Sequence, residues 1–291
     1  MSIRQGLLNA YGVSKSGFDL RSQTILFLIY LHGSINHNKW KYTEKFIRSY
    51  IDFVKSGPLL TIKVKSFQNG RLISAPFQFR AHNFYDYQSI SECFGSMYSM
   101  STIDISDMEY LIDAGGNIGA FTRSFLESDH SFKEVVLVEP DPDNYTIMCH
   151  NTAFIEHSAC IQAALDNKKG EAVFSKSHAN MGHLSDIDMP VSSSESFTVK
   201  TETLSDIIPA SFDLDKTVLK LDIEGAEYSV LPEFFQHKIY PKYIIGEIHT
   251  YLKSHGDQLI DLIKSHGYQV DVEITRDHPD AAIQFYARRT V

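Results

Sequence analysis

The stretch from Tyr110 to Phe121 constrains the fold of this chain more than any other part of its sequence. An apolar run through Leu111 and Ile112 stops at Asp113, and a glycine-rich turn, Gly115–Gly119, follows it. Such a run is typical of a buried parallel strand, and glycine lets the backbone turn sharply and approach a ligand without a Cβ atom in the way. Amide groups at the start of the next helix would then face an anion. The stretch predicts a pocket for a nucleotide-type cofactor.

A second apolar run, Val135–Val138, supports this prediction because it ends in an acid. Glu139 lies twenty residues after Gly119, and a carboxylate at that distance can bind both hydroxyl groups of a ribose. The main alternative is a dinucleotide-binding loop, but the third and sixth positions counted from Gly115 are Asn117 and Ala120. Close approach of a pyrophosphate is therefore not provided for, and nicotinamide binding is the second hypothesis.

Two later segments bring charged groups to strand ends. In Val218–Glu227 apolar and charged residues alternate, so a strand here has two different faces. One face carries Leu219, Leu221 and Ile223, and the other carries Lys220, Asp222 and Glu224. The next apolar run, Tyr243–His249, contains Glu247 and ends in His249. Since the carboxyl ends of neighbouring parallel strands open into one crevice, we expect Asp222, Glu247 and His249 to meet.

These motifs resemble those of the FkbM-type family of S-adenosylmethionine-dependent methyltransferases. The resemblance is carried by Ile112–Gly119, by Val138–Pro140 with Asn144 and Asn151, and most distinctively by Leu219–Glu227. It covers roughly the final two thirds of the chain, where Ala164–Asp166, Gly170–Glu171 and Asn180–Gly182 follow in the expected order. The chain departs from the family pattern at Leu204-Ser205-Asp206, where Leu-Asp-Asp is frequent, and at Gly116, where alanine is common.

The resemblance implies a site for S-adenosylmethionine. Asp113 and the backbone of Gly115–Gly119 would surround the methionine part of the cofactor, and Glu139 would bind its ribose. The residues assigned to the cofactor are Asp113, Gly115, Gly116, Asn117, Gly119, Glu139 and Asp222, with Glu92 as a further contact. Members of the family mostly methylate hydroxyl groups on sugars, polyketides and related metabolites. The resemblance therefore implies O-methylation of a small-molecule or glycan acceptor.

Methyl transfer to a hydroxyl group needs a close, aligned acceptor and gains from removal of the hydroxyl proton. His249 is the candidate general base because its unperturbed pKa lies near neutrality, and Asp222 either orients the imidazole or takes the proton itself. Lys220 is the third candidate catalytic residue, although Lys220 and Glu224 could equally form a structural ion pair. Glu224 and Glu247 are assigned to the acceptor.

Asp222, Glu247 and His249 could instead hold a divalent metal ion, which would lower the pKa of the acceptor hydroxyl. The spacing of Glu247 and His249 is, however, also that of ordinary polar alternation along a strand, and the sequence shows no dense carboxylate cluster nearby. We therefore predict a site without a metal.

Two segments outside these motifs are assigned further contacts. Asn180 lies in a polar loop beside a glycine and is expected at the rim of the acceptor pocket. Residues 84–98 lead into the first core strand, where similar enzymes place polar groups near the amino-acid end of the cofactor. This resemblance selects Glu92 and Tyr98.

The order of the segments predicts an α/β protein with a Rossmann-like, doubly wound sheet that is mostly parallel and has an antiparallel C-terminal strand. An N-terminal helical segment, within residues 1–55, and a β-hairpin around Asn69-Gly70 precede it. The remaining predicted strands are Cys160–Leu165, an inserted pair at Ala172–Ser175 and Phe197–Lys200, and a final hairpin of Tyr268–Thr275 and Ala281–Arg288. We predict an accessory region at residues 1–100 and the methyltransferase domain at 101–291.

Composition narrows the possible partners. The 291 residues, of which 43% are hydrophobic, suffice for one large core plus an accessory segment. A net charge of -9 disfavours nucleic acid as a partner, and with it an RNA methyltransferase. Three cysteines suggest reduced packing residues, and neither a leader peptide nor a membrane span is expected, so the predicted location is the cytoplasm. A protein that binds the cofactor without turnover is the alternative from another functional class.

Overall fold

A computed structural model of the chain describes residues 59–68, 71–80, 83–94, 103–127, 130–176, 182–184, 195–250, 256–274 and 282–290, together with positions 15, 20, 23 and 24. The chain forms two compact units. One comprises Met1–Met100 with Arg123–Ser131, and the other comprises Ser101–Thr122 with Phe132–Val291. The helical segment predicted within residues 1–55 lies outside the described residues, apart from the isolated positions. The assignment of an accessory and a catalytic role to the two parts of the chain stays a prediction.

The described part of the first unit is built around an antiparallel hairpin. Strand β1 (Leu59–Gln68) pairs along its whole length with β2 (Arg71–Arg80), and Gln68 is the partner of Arg71. This pairing confirms the hairpin predicted from Asn69-Gly70, although these two residues themselves lie outside the described ones.

A helix follows the hairpin. Helix α1 (Phe84–Cys93) begins after Asn83, whose side chain accepts a hydrogen bond from the amide of Tyr85. Asp86 in the first turn accepts bonds from the backbone amide and the guanidinium of Arg80 at the end of β2. This buried ion pair fixes the start of the helix to the end of the hairpin.

The second unit contains two sheets. In chain order the strands among its described residues are β3 (Tyr110–Ala114), β4 (Glu134–Val138), β5 (Ser158–Ile161), β6 (Ala164–Leu165), β7 (Gly170–Lys176), β8 (Gly182–Leu184), β9 (Glu195–Glu202), β10 (Thr217–Leu221), β11 (Tyr243–His249), β12 (Tyr268–Ile274) and β13 (Ala282–Arg289). The main sheet has the order β12-β13-β11-β10-β3-β4-β5. Strands β5, β4, β3, β10 and β11 are parallel, whereas β13 runs antiparallel to both β11 and β12. The predicted Rossmann-like α/β class, with its closing antiparallel strand, is confirmed.

The helices that follow α1 are α2 (Ala120–Glu127), α3 (Pro142–Thr152), α4 (Leu204–Ile207), α5 (Glu227–Gln236) and α6 (Gly256–Ser265), with a short 3-10 turn at Leu214–Lys216. Helices α5 and α6 supply apolar side chains to the core cluster that contains the central strands. Strands covered in this way need apolar residues on both faces, and β10 and β11 are buried at every position. No helix within the described residues combines the length and the apolar character that a membrane crossing requires.

A second, four-stranded sheet has the order β6-β9-β7-β8. The predicted inserted pair is present in it as the antiparallel strands β7 and β9. The single strand predicted at Cys160–Leu165 is wrong, since this segment divides between the two sheets. Strand β5 pairs with β4 in the main sheet, whereas β6 pairs with β9 in the second one. Because the two halves form hydrogen bonds to different sheets, the chain has to leave one ladder before it enters the other.

Candidate cofactor and acceptor site

The turn after β3 is held by backbone hydrogen bonds. The amides of Gly115 and Gly116 both donate to the carbonyl of Val138 at the end of β4, and the amide of Gly119 donates to the carbonyl of Gly116. Gly115, Asn117 and Gly119 have positive φ angles of 80°, 49° and 81°. These glycine amides serve the protein itself, so the turn is not arranged as a nest of donors for a pyrophosphate. The expectation that amide groups at the start of the next helix face an anion is not tested by these contacts and stays a prediction.

Two glycines in the turn pack closely against other parts of the chain. A Cβ atom on Gly115 would lie 1.8 Å from the carbonyl oxygen of Asp222, and one on Gly116 would lie 2.4 Å from the Sδ atom of Met148. The sequence suggested instead that these glycines give room to a ligand. The contacts show instead that Gly115 lets the end of β3 approach the backbone that follows β10.

Asp113, the fourth residue of β3, is fully buried beside this contact. Its Oδ2 atom accepts a hydrogen bond of 2.7 Å from the hydroxyl of Thr122. Its Oδ1 atom lies 3.4 Å from Nζ of Lys220 and has no hydrogen-bond partner among the described residues. An acceptor atom is thus left available at the carboxyl end of the central strand.

Lys220 ties together the ends of β3 and β10. Its ammonium group donates to the carbonyl of Gly115 at 2.5 Å and lies within 3.4–3.5 Å of the carboxylates of Asp113 and Asp222. The side chain is almost completely buried. These contacts fit a structural ion pair at the strand ends, and a catalytic role for Lys220 stays a prediction.

Glu139 follows β4 and is surrounded by donors. Its Oε2 atom accepts from the amide of Asn117 at 2.9 Å, and its Oε1 atom accepts from the amide of Asp141 at 3.0 Å and the carboxamide of Asn144 at 3.3 Å. Burial raises the pKa of Glu139 to about 7, and these hydrogen bonds offset part of the effect. The carboxylate therefore sits at the second strand end with both oxygens fixed in position.

Asp222 and Glu224 lie after the end of β10. Their alternation with apolar residues had predicted that both lie on the strand, and that prediction is wrong. Strand β10 ends at Leu221, and the left-handed backbone at Glu224 and Gly225, with φ of 51° and 95°, cannot continue a strand. Both carboxylates nevertheless face the imidazole of His249. Asp222 faces Lys220 with Oδ2 and His249 with Oδ1, at 3.5 Å and 3.8 Å.

His249, the last residue of β11, is surrounded by carboxylates. Its Nε2 atom lies 3.3 Å from Glu224, 3.8 Å from Asp222 and 4.0 Å from Glu247, and its Nδ1 atom lies 2.9 Å from Oε1 of Glu227. Burial alone would lower the pKa of the imidazole. The charges of Glu227, Glu224 and Asp222 outweigh burial and raise this pKa well above its usual value. The predicted meeting of Asp222, Glu247 and His249 is present in the structure.

Glu247 lies two residues before His249 on the same strand. Its Oε1 atom accepts a hydrogen bond of 2.9 Å from the carboxamide of Gln284 on the neighbouring strand β13. Burial, together with the charge of Asp222, raises the pKa of Glu247 to about 7. A hydrogen bond from β13 therefore fixes one oxygen of the carboxyl group, and the other oxygen faces the imidazole of His249.

The same cluster offers ligand atoms for a metal ion. Asp222, Glu224 and His249 each provide one, and these atoms lie within 4.8 Å of one another. The set differs from the one that the sequence suggested, because Glu224 takes the place of Glu247. An imidazole between carboxylates is equally the geometry of an ion pair, so the prediction of a metal-free site stays a prediction.

The contacts assigned from the sequence to three further residues are not tested by the described part of the structure. Glu92 lies on α1 in the other unit, where its Oε1 atom accepts a hydrogen bond from Gln88. Asn180 and Tyr98 lie outside the described residues. Their roles stay predictions.

Several contacting residues were missed by the sequence interpretation. Glu227, Gln284 and Thr122 each bind a predicted site residue through a side chain. Glu227 carried a usable signal, because it is an acid directly before the apolar face of a helix in the most distinctive motif. Gln284 and Thr122 carried none, since a single polar residue in a strand or helix is common.

Residues 113–270 match the sequence model of the methyltransferase FkbM domain. The match spans more than half of the chain, and the chain belongs to the FkbM methyltransferase family. The resemblance seen in the motifs, to a family of S-adenosylmethionine-dependent methyltransferases, is thereby confirmed. Among curated proteins, none matches this chain.

The chain is also similar to solved structures, among them the following three. Methyltransferase FkbM from Methylobacillus flagellatus KT has 17% identity and a TM-score of 0.43, over 96% of this chain and 58% of that one. M. jannaschii TYW2 in complex with AdoMet has 13% identity and a TM-score of 0.41, over 80% and 88%. The N-terminal domain of human METTL16 in complex with SAH has 9% identity and a TM-score of 0.39, over 71% and 70%. This chain therefore spans 58% of the length of the Methylobacillus protein.

S-adenosylmethionine is the cofactor of this family, and the residues present fit it. Asp113 has a buried acceptor atom without a hydrogen-bond partner among the described residues, and Glu139 presents a fixed carboxylate one strand away. A cofactor with an ammonium group and two ribose hydroxyls supplies the donors that such acceptors need.

Proposed function

We propose that this protein transfers the methyl group of S-adenosylmethionine to a hydroxyl group of a small-molecule or glycan acceptor. The observation that carries the proposal is the double contact of Asp222. One carboxylate oxygen faces Lys220 beside the glycine turn, and the other faces the imidazole of His249. The side chain of Asp222 alone thus connects His249, which can take a proton, to Lys220 beside the turn to which the family resemblance assigns the cofactor.

The cofactor side consists of Asp113, the Gly115–Gly119 turn and Glu139. When bound there, S-adenosylmethionine supplies an electrophilic methyl group. Glu139 would accept hydrogen bonds from the ribose hydroxyls, and Asp113 would accept from a donor on the methionine part. Lys220 would keep the ends of β3 and β10 at a fixed separation through its bond to the carbonyl of Gly115.

The acceptor side consists of Asp222, Glu224, Glu247 and His249. His249, in its neutral form, would take the proton of the acceptor hydroxyl through Nε2. The hydroxyl oxygen would form a bond to the methyl carbon as the bond from that carbon to sulfur breaks, with S-adenosylhomocysteine as the leaving group. The carboxylates around the ring would stabilise the imidazolium that results, in the same way as they raise its pKa. Asp222 is the alternative proton acceptor, and Glu224 and Glu247 would hold other hydroxyl groups of the acceptor.

The direct test is transfer of a labelled methyl group from S-adenosylmethionine to a panel of sugars, polyketides and lipids, with the full chain. We expect labelled product from at least one hydroxyl-bearing acceptor, and none from the same acceptor with that hydroxyl replaced by hydrogen. Calorimetric titration with S-adenosylmethionine, run in parallel, reports binding independently of turnover.

The other candidate functions give different results in these assays. Saturable binding without product from any acceptor would favour a cofactor-binding protein without turnover. Label appearing in RNA but in no small molecule would favour an RNA methyltransferase. Each assay is repeated after dialysis against EDTA, and we expect unchanged rates, since the proposal assigns the proton to His249 and not to a metal-bound group.

A further inference from the structure

Glu227 is a fully buried carboxylate next to the acceptor side. It is the first residue of α5, and its Oε1 atom accepts a hydrogen bond from the amide of Ile223 at 3.1 Å and lies 2.9 Å from Nδ1 of His249, within hydrogen-bonding distance. Its Oε2 atom is buried and has no hydrogen-bond partner among the described residues. The imidazole is therefore the main ionisable partner that the described structure offers to this charge.

A buried carboxylate is unfavourable unless a partner compensates its charge. The N-terminus of α5 gives Glu227 some compensation, because the helix dipole favours negative charge there. The remainder comes from His249. A carboxylate that accepts a hydrogen bond from one ring nitrogen holds the proton on that nitrogen, which selects the tautomer and the orientation of the ring.

The charged groups facing the ring differ in what they can do. Asp222 and Glu224, from the turn after β10, and Glu247, from β11, all face Nε2, at 3.3–4.0 Å. Glu227, from α5, is the carboxylate at hydrogen-bonding distance from Nδ1. The same oxygen of Glu227 also fixes the amide of Ile223, which lies between Asp222 and Glu224. Oε1 of Glu227 thus contacts both the imidazole ring of His249 and the turn that carries Asp222 and Glu224.

We propose that Glu227 is a positioning residue that keeps His249 protonated on Nδ1 and its Nε2 atom directed at the acceptor side. The inference deepens the proposed function, because it rests on His249 as the proton acceptor. Through this contact, Glu227 leaves Nε2 bare whenever the ring is neutral, and bare Nε2 is the atom that can take the hydroxyl proton. The resulting imidazolium then lies between Glu227 on one side and Asp222 with Glu224 on the other.

The first test needs no acceptor. The full chain is labelled with 15N at the imidazoles of its thirteen histidines, and the His249 signals are assigned by difference from His249→Gln. We expect a protonated Nδ1 across the pH range in which the protein is folded, with Nε2 losing its proton first as pH rises. Wild-type protein with a bare Nδ1 and a protonated Nε2 would overturn the proposal.

The second test uses Glu227→Gln, which keeps the shape and one acceptor oxygen but removes the charge. We expect kcat to fall at least about tenfold, within the roughly 10²–10⁴-fold that a positioned base contributes, with the KM for S-adenosylmethionine changed less than about twofold. The matched control is Glu233→Gln on the same helix, which alters a pair with the exposed His237 at 2.9 Å and should change neither value.

The outcomes separate the two proposals. Unchanged kcat and an unchanged His249 spectrum in Glu227→Gln would reduce Glu227 to a structural hydrogen-bond acceptor for Ile223. Equal losses of kcat and cofactor affinity would mean that the turn itself has moved, and would also overturn the positioning role. If no acceptor is ever methylated, the proposed function fails, yet the imidazole spectrum still decides which nitrogen Glu227 holds protonated. If Glu227→Gln does not fold, the wild-type spectrum alone decides.

Discussion

The cofactor side and the acceptor side are held together by different kinds of interaction. On the cofactor side, backbone amides and one carboxamide surround the carboxylate of Glu139, the turn beside it is fixed by main-chain bonds, and one ion pair joins Asp113 to Lys220. On the acceptor side, four carboxylates surround a single imidazole, His249. The comparison teaches that the first side depends on backbone geometry, whereas the second depends on charge. Substitutions should therefore affect binding and folding on the first side, and turnover on the second.

Each side contains a buried carboxylic acid with a raised pKa, but the groups around the two acids differ. Glu139 and Glu247 both have a pKa of about 7, and burial is the largest cause in each case. For Glu139 the next influences are hydrogen bonds that lower the pKa, whereas for Glu247 the next is the negative charge of Asp222, which raises it further. The surroundings of Glu139 are therefore suited to a ligand that donates hydrogen bonds. Those of Glu247 are suited to a neighbouring side chain whose charge changes during the reaction.

The largest effect is expected for His249→Ala, on the acceptor side. Turnover should fall about 10²–10⁴-fold, because the variant lacks the base, while affinity for S-adenosylmethionine changes less than about twofold. Steady-state kinetics and calorimetry measure the two quantities. His237→Ala, which removes an exposed histidine directly after α5, is the control and should leave both unchanged. Matching losses of turnover and affinity would break the division between the two sides.

A smaller but still large effect is expected for Gly115→Ala, where the two sides meet. The new Cβ atom would lie 1.8 Å from a backbone oxygen of Asp222 and would require φ of 80°, so the strand ends must separate. We expect a loss of about 3 kcal/mol or more in the free energy of unfolding, measured by urea denaturation.

Gly116→Ala is the matched control for this prediction. Its Cβ atom would meet the Sδ atom of Met148, which belongs to a flexible side chain, so we expect a loss of about 1–3 kcal/mol. Equal losses in the two variants would show that the contact between Gly115 and Asp222 does not constrain the turn.

Much of this arrangement could be predicted from the sequence. Short apolar runs that end in polar residues predicted the ends of β3, β4 and β11, and that of β10 only approximately, since β10 stops at Leu221. Parallel pairing then requires those ends to share one edge of the sheet. The FkbM motifs supported the same arrangement, because they place Asp113, Glu139 and Asp222 at these ends.

The remainder depends on contacts that a one-dimensional pattern does not record. Glu227 shares a hydrogen bond with His249, 22 positions later in the sequence. Whether the two side chains meet depends on where the start of α5 lies relative to the end of β11. Gly115 looked like a glycine that admits a ligand, whereas it admits the carbonyl of Asp222. The strand predicted at Cys160–Leu165 failed for a similar reason, since the choice between two sheets is made by partners far along the chain.

The smallest effect is expected on the cofactor side, from Glu139. Its pKa of about 7 means that the carboxylate, the better acceptor for ribose hydroxyls, becomes the main form only above that pH. Affinity for S-adenosylmethionine should therefore rise up to about tenfold, or about 1.4 kcal/mol, between pH 6 and pH 8, and then level off. Calorimetric titration at several pH values measures this rise.

Glu139→Gln separates this effect from the titration of the cofactor itself. Its amide has no titrating proton, so the affinity of the variant should stay below that of the wild type above pH 7 and should follow only the cofactor's own groups. A wild-type affinity that falls with rising pH would mean that the protonated acid binds the ribose, with its hydroxyl as donor. The cofactor side would then depend on the charge of its acid, as the acceptor side does, and the contrast between a backbone-built and a charge-built half of the site would no longer hold.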